Sequence, residues 1–267
     1  MIKHFLFFQL ALFLYINPVF AQTKTHDLPQ VTILAASSFS KPLTELTRIY
    51  SKKESVVITA SFDGTAEQSN KIEQGEQADI FISSHPHWMS RLKQKGLIDV
   101  YSLTNLVRNK LTLVISTKSG LNEYPIPGEG FAAKLNFLKR RNIMVMGDFD
   151  SSALGAYTKQ ALQNTDTNDG IHLWEDLQNK IIPSPNSKNT LYLIAHGETA
   201  GIVYYSDSYN NKEVNVLTVI DSSLYDPIVY QAAVVAGENM SIARDFLIFL
   251  QSPQAKQIYK KHGFVVD

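Results

Sequence analysis

Short apolar runs alternate with amphipathic stretches along most of the chain. Residues 31–34 form an apolar run that predicts a strand. Behind it Leu43, Leu46, Ile49 and Tyr50 share one face of a predicted helix. Pro42 suits the first turn of that helix, where a missing N–H leaves nothing unsatisfied. Residues 56–62 read as a second strand and 65–74 as a helix stopped by Gly75. Residues 78–83 read as a buried strand and 88–95 as a helix stopped by Gly96. Further strands are predicted at 111–116, 143–147, 201–204 and 229–236, and further helices at 155–162, 191–195, 241–250 and 253–262. Residues 125–130 and 165–170 read as loops, and 108–110 as a crossover. Alternation of this kind predicts an α/β fold with largely parallel sheets. A self-contained middle section separates the first half from the late strand and the C-terminal helices. That arrangement predicts two lobes, residues 30–107 with 227–267 and residues 108–226, joined by two crossings.

The first 21 residues carry a different pattern. Lys3 and His4 precede an apolar stretch at 5–16, and Val19 and Ala21 supply small residues where a signal peptidase reads. The stretch is shorter than the ~20 apolar residues a membrane span needs. The expectation is an exported chain cleaved after Ala21, with a polar segment at 22–30. The 267 residues contain no cysteine, so neither a disulfide nor lipid attachment at an N-terminal cysteine is available, which points to a bacterial periplasm. The formal net charge is zero, which gives no basic surface for nucleic acid.

The chemistry begins where the first strand ends. Ala35, Ala36, Ser37 and Ser38 lead from strand to helix, and a helix start offers unpaired N–H groups and a partial positive charge. Hydroxyls there add donors without adding charge. The pattern recurs near Thr65, at Ser151 and Ser152, and at Ser187. An isolated Ser or Thr at a helix start is ordinarily a cap; four grouped around one cleft would hold an oxyanion by hydrogen bonds alone. The pair His85 and His87 offers a metal two ligands where zinc takes three or four, so both read as solvated loop residues. Trp88 and Trp174 read as core. A triad could be drawn from Ser38, His196 and Asp79, but no spacing supports it.

Several segments, in order and spread over the mature chain, resemble the periplasmic molybdate-binding protein family. They are residues 31–39 and 72–83, Trp88-Met89, Gly147-Asp148, Gly197-Glu198, residues 201–204 and Gly263-Phe264. The resemblance implies a two-lobed (type II) solute-binding fold, each lobe a mainly parallel sheet flanked by helices. It implies no enzymatic reaction, no cofactor and no bound metal cation, but an oxyanion, molybdate or tungstate, held between the lobes. It implies a monomer that delivers the anion to the membrane permease of an ABC importer. By position it assigns ligand contacts to the hydroxyls of Ser38 and Thr65, the backbone of Leu154, the backbone N–H of Ser187 (with Asn186 the alternative) and the hydroxyl of Tyr204.

Three positions depart from the family pattern. Leu154 replaces a small residue and would crowd the cleft if its side chain pointed inward. Asp63 places a carboxylate beside the site; facing a dianion at ~4 Å it would cost on the order of several kcal/mol, so it is expected to face solvent or cap the following helix. Lys188 stands where family members often carry arginine and is not expected to touch the ligand. The competing readings are another oxyanion or a small organic acid on the same fold, an enzyme on that fold, and a regulatory sensor.

Overall fold

The computed structural model describes residues 28–267 except 124, 141–143, 166–171, 179 and 198. The expected leader and most of the polar loop at 165–170 lie outside the described residues. Ten strands form two five-stranded sheets. The first contains β1 (Gln30–Ala36), β2 (Val57–Asp63), β3 (Ile80–Ser83), β4 (Thr104–Asn109) and β10 (Ile228–Val234), in the order β2-β1-β3-β10-β4. The second contains β5 (Leu111–Ser116), β6 (Met144–Gly147), β7 (Ile181–Ser184), β8 (Ala200–Tyr204) and β9 (Val214–Val219), in the order β7-β6-β8-β5-β9. The chain passes to the second sheet between Asn109 and Leu111 and returns between Val219 and Ile228. Tyr225 ties the two crossings together, its hydroxyl accepting from the Leu111 N–H at 3.0 Å.

Each sheet is mixed rather than mainly parallel. β1 pairs with β2 and β3 in parallel, and β6 pairs likewise with β7 and β8. β10 and β5 run antiparallel to both their neighbours. The reason is topological: these strands arrive by crossing from the other sheet and not by a helical return on the same one.

Around the first sheet lie α1 (Ser40–Glu54), α2 (Thr65–Glu73), α3 (Pro86–Gln94), α9 (Met240–Phe249) and α10 (Pro253–Lys261). Around the second lie α4 (Gly130–Leu138), α5 (Ala153–Asn164), α6 (Leu173–Leu177), α7 (Ser187–His196) and the single turn α8 (Tyr205–Ser208). Leu43, Leu46 and Tyr50 bury the expected face of α1, each aliphatic side chain contributing roughly 1.5–3 kcal/mol. Tyr50 meets Phe246 and Phe249 of α9 at ring distances of 4.9 and 5.1 Å. Among the described residues no helix is long and apolar enough to cross a membrane.

Several expectations need correction. β4, β7, β9 and α4 carry too little alternation to be read from sequence, and residues 108–109 belong to β4, where pairing with β10 recruits a polar segment. Trp88 and Trp174 are half-buried, since each leaves one ring face under a cation: Arg91 lies 5.4 Å from the Trp88 centroid and Lys159 5.1 Å from that of Trp174. His85 is not a solvated loop residue. Its Nδ1 accepts from the His87 N–H at 3.1 Å and so caps α3. Its ring packs on Tyr157 of α5 at 4.8 Å, across the gap between the two sheets.

Burial, with His87 beside it, holds the His85 imidazole below its usual pKa of 6.5, and Asp226 opposes this. The fold therefore favours the neutral ring. The stability it contributes is complete above about pH 6.5 and is lost as pH falls below that value. His85→Asn keeps a capping acceptor and cannot titrate. The gap in melting temperature between the natural chain and this variant should shrink between pH 7.5 and pH 5; a gap constant with pH would contradict the account. Gly155, in the first turn of α5, has no room for a methyl group: a Cβ there would lie 1.9 Å from the Asp148 carbonyl oxygen. Gly155→Ala should cost about 3 kcal/mol or more in denaturant titration, because backbone and not a flexible side chain must move.

Candidate functional site

The C-terminal ends of the parallel strands in both sheets point at one another, the position where open α/β sheets receive ligands. Three helices of nine or more residues start there. α2 begins at Thr65 after Gly64, α5 at Ala153 after a Ser152 cap, and α7 at Ser187 after an Asn186 cap. Between them lies a narrow cavity of about 10 Å³, room for about one water-sized sphere. This is far below the ~300 Å³ of typical organic-ligand pockets.

Ser38, Thr65, Leu154, Ser187 and Tyr204, the five positions singled out from sequence, all line this cavity. Leu154 does so without filling it: its side chain is 1% exposed and belongs to the main apolar core, so the backbone is what remains for the cavity. The first-turn N–H groups of Thr65, Leu154 and Ser187 have no partner within their own helices. Asn186 and Ser187 divide their work. The Asn186 side-chain oxygen accepts from the Asn189 N–H at 3.0 Å as the cap, while the Ser187 hydroxyl lies 3.2 Å from that of Ser37 on the opposite lobe.

The orientation of the Ser38 hydroxyl follows from a buried chain of hydrogen bonds. Asn109 Oδ1 accepts from the backbone N–H groups of Lys110 and Ser206, which fixes the amide and turns Nδ2 toward Ser206 Oγ at 2.9 Å and Tyr230 Oη at 3.3 Å. Tyr230 thus accepts from Asn109 and must donate to its remaining partner, Ser38 Oγ, at 2.5 Å. With its oxygen engaged, Ser38 keeps its own proton for the cavity. Phe39, Tyr230 and Phe264 support the arrangement in an aromatic cluster with ring distances of 5.3–5.5 Å, which explains the weight the Gly263-Phe264 pair carries at the far end of the chain.

Thr65 Oγ1 lies 2.9 Å from Ser84 Oγ and accepts from the Ser84 N–H at 3.2 Å. The Tyr204 hydroxyl is buried without a hydrogen-bond partner, a costly state for a donor inside a protein. Burial, reinforced by Tyr230 and Tyr157 and opposed by a contact with Ser84 that falls short of a full hydrogen bond, pushes its pKa well up, so it remains an O–H donor. Ser84, Asn109 and Tyr230 were not read from sequence. Ser84 follows a strand end just as Ser38 does and could have been found by that logic. Asn109 and Tyr230 act through contacts more than ninety positions apart in the chain and leave no local signal.

Among the described residues, no lysine, arginine or histidine lines the cavity. Lys188 is drawn away from it to the buried Asp207, at 2.7 Å. Asp63 is half-buried and does not cap α2: its Oδ1 accepts from the Gly64 N–H at 2.7 Å and from Asn186 Nδ2 at 2.9 Å, because the lobes meet where it stands. Neither His196 nor Asp79 joins Ser38 at the cavity; His196 stacks on Tyr192 and Asp79 accepts from the Thr32 N–H. Among the described residues, no group of three or more potential metal ligands is present.

Residues 31–265 match the family model of the bacterial extracellular solute-binding protein. The chain is 30% identical over 240 residues to molybdate-binding protein ModA of Haemophilus influenzae, covering 88% of this chain and 89% of that protein. It is 29% identical over 243 residues to molybdate-binding protein ModA of Escherichia coli, covering 90% of each. The periplasmic molybdate-binding protein of Azotobacter vinelandii superposes with a TM-score of 0.72 at 18% identity, covering 89% of this chain and 99% of that one, a likeness of fold. The chain belongs to the bacterial extracellular solute-binding proteins and, among them, to the molybdate-binding protein family.

Proposed function

We propose that this protein captures molybdate, and tungstate with it, in the cavity between its lobes and delivers the anion to the permease of an ABC importer. The observation that carries the reading is the donor set. Hydroxyls and helix-start N–H groups line a small cavity that, among the described residues, no cationic side chain enters. Ser38, Thr65 and Tyr204 would donate through hydroxyls, and Leu154 and Ser187 through their backbone N–H groups. The unpartnered Tyr204 hydroxyl would acquire the acceptor it lacks. A hydrogen bond to a charged acceptor contributes roughly 1.5–3 kcal/mol, and six approach or exceed the ~12 kcal/mol of a nanomolar complex before ordering costs. Molybdate and tungstate are larger than sulfate and phosphate, so the size of the closed cavity would separate them. The expected export across the inner membrane and monomeric state fit this role. The chemistry required is retention, not turnover.

Isothermal titration of the mature chain with molybdate, tungstate, sulfate and phosphate tests the reading. One-to-one heat with the first two alone is expected; silence from all four in a folded sample would overturn it. Ser38→Ala should weaken molybdate binding about tenfold or more, the loss of one charged hydrogen bond. Tyr204→Phe should also weaken binding about tenfold, yet leave the melting temperature of the anion-free protein unchanged or higher, because it removes an unsatisfied buried hydroxyl. A variant that lost affinity and stability together would show that the hydroxyl serves the fold.

A further inference from the structure

Among the described residues, Asp63 is the one charged side chain at the cavity, and the molybdate reading gives it no task. The carboxylate comes from the end of β2 in the first lobe, and Asn186 from the start of α7 in the second. Their hydrogen bond joins residues 123 positions apart and spans the gap between the lobes. Both ends of the Asn186 amide are committed, its oxygen to the α7 cap and its nitrogen to Asp63, so it has one orientation. Beside the bond the lobes are in backbone contact: a Cβ on Gly64 would lie 3.0 Å from the Pro185 carbonyl oxygen.

The position of the pair is what gives it a role. Asp63, Gly64 and Asn186 line the inner cavity, whose other residues are buried, and also line a second groove whose residues Glu67 and Ser151 are exposed. The bond therefore stands where the buried cavity meets the exposed groove. We propose that the Asp63–Asn186 hydrogen bond is an interlobe latch on the anion's exit: it holds the start of α7 against the first lobe and sets how long the closed state lasts. Each partner is a positioning residue; the anion is held by the donors behind them. The carboxylate suits the task because its interlobe donor is neutral. The bond is charge-assisted, yet it places no cation at the cavity wall to compete for the ligand.

The role in release rests on the molybdate reading, and the latch itself can be tested apart from it. Asn186→Asp retains a good helix cap and sets a second carboxylate against Asp63, so the latch becomes a repulsion. The exchange Asp63→Asn with Asn186→Asp returns one donor and one acceptor to the same gap with the natural net charge. In stopped-flow displacement of molybdate by excess tungstate, Asn186→Asp should release the anion at least tenfold faster, and the exchange should return the rate to within about threefold of the natural protein. A purely structural role for Asn186 would not be rescued by a change on the opposite lobe. Equal melting temperatures would confirm that all forms are folded.

The chain contains no cysteine, so spin labels at Lys52→Cys and Glu175→Cys, both exposed and on opposite lobes, report the lobe separation with no anion present. Asn186→Asp should broaden or lengthen that distance, and the exchange should restore it. Were molybdate not bound at all, this second readout would still decide the latch. An unchanged distance in Asn186→Asp, or a faster release that the exchange leaves uncorrected in a folded protein, would overturn it.

Discussion

The direction of one buried proton organises the cleft. Asn109 can offer Tyr230 only a donor, because its oxygen is already occupied by two backbone N–H groups. Tyr230 then has its own proton to give to Ser38, and Ser38 is left with a proton that no described residue receives. A buried hydroxyl pays heavily for a missing partner. The fold can keep such a donor, together with the unpartnered Tyr204 hydroxyl, only because the surrounding core is well packed: Phe39, Tyr230 and Phe264 clamp one side, and Leu154 anchors the start of α5 on the other. The crossed topology serves the same end, since β10 must return from the second sheet to place Tyr230 behind β1.

Much of this was legible in the chain, and the boundary of legibility has a physical form. Residues 31–38 show a buried strand running into a helix start, and the element follows from local pattern, while the resemblance supplied the proposed donor role. The same is true of Thr65; at Ser187 the pattern showed the helix only from residue 191. Tyr204 ends a fully buried strand, and the family resemblance supplied its role. Local pattern failed where tertiary contact decides. β4 and β9 are polar enough to read as loops until neighbours pair with them, and His85 looked solvated until Tyr157 arrived from the other lobe. Asp63 shows the limit most clearly. A carboxylate beside an anion site looked like a liability to be turned outward; the partner that gives it a place lies 123 residues away.

Using neutral donors in place of cations has a further effect on discrimination. A lysine or arginine in the cavity would attract any anion, and would gather the abundant small ones outside the cell along with rare ones. Helix-start N–H groups and hydroxyls fixed by packing reward an acceptor only at the right distance, so shape enters the energy directly. Lys188, diverted to Asp207, keeps its charge in the region without adding an indiscriminate contact.

Asn109 has a second property, that of place. It is the last residue of β4, at the first crossing, and its amide touches both the second lobe, through Ser206, and the strand that follows the second crossing, through Tyr230. Any turning of one lobe against the other takes place about these crossings, and atoms near a pivot travel least. The donor oriented from the pivot, Ser38, would stay aimed through the whole swing, while those carried by α5 and α7 arrive with the far lobe. On the proposed reading such a cleft would work like a jaw with one fixed side: an anion would be seated and inspected by the stationary donor before the moving ones commit to it.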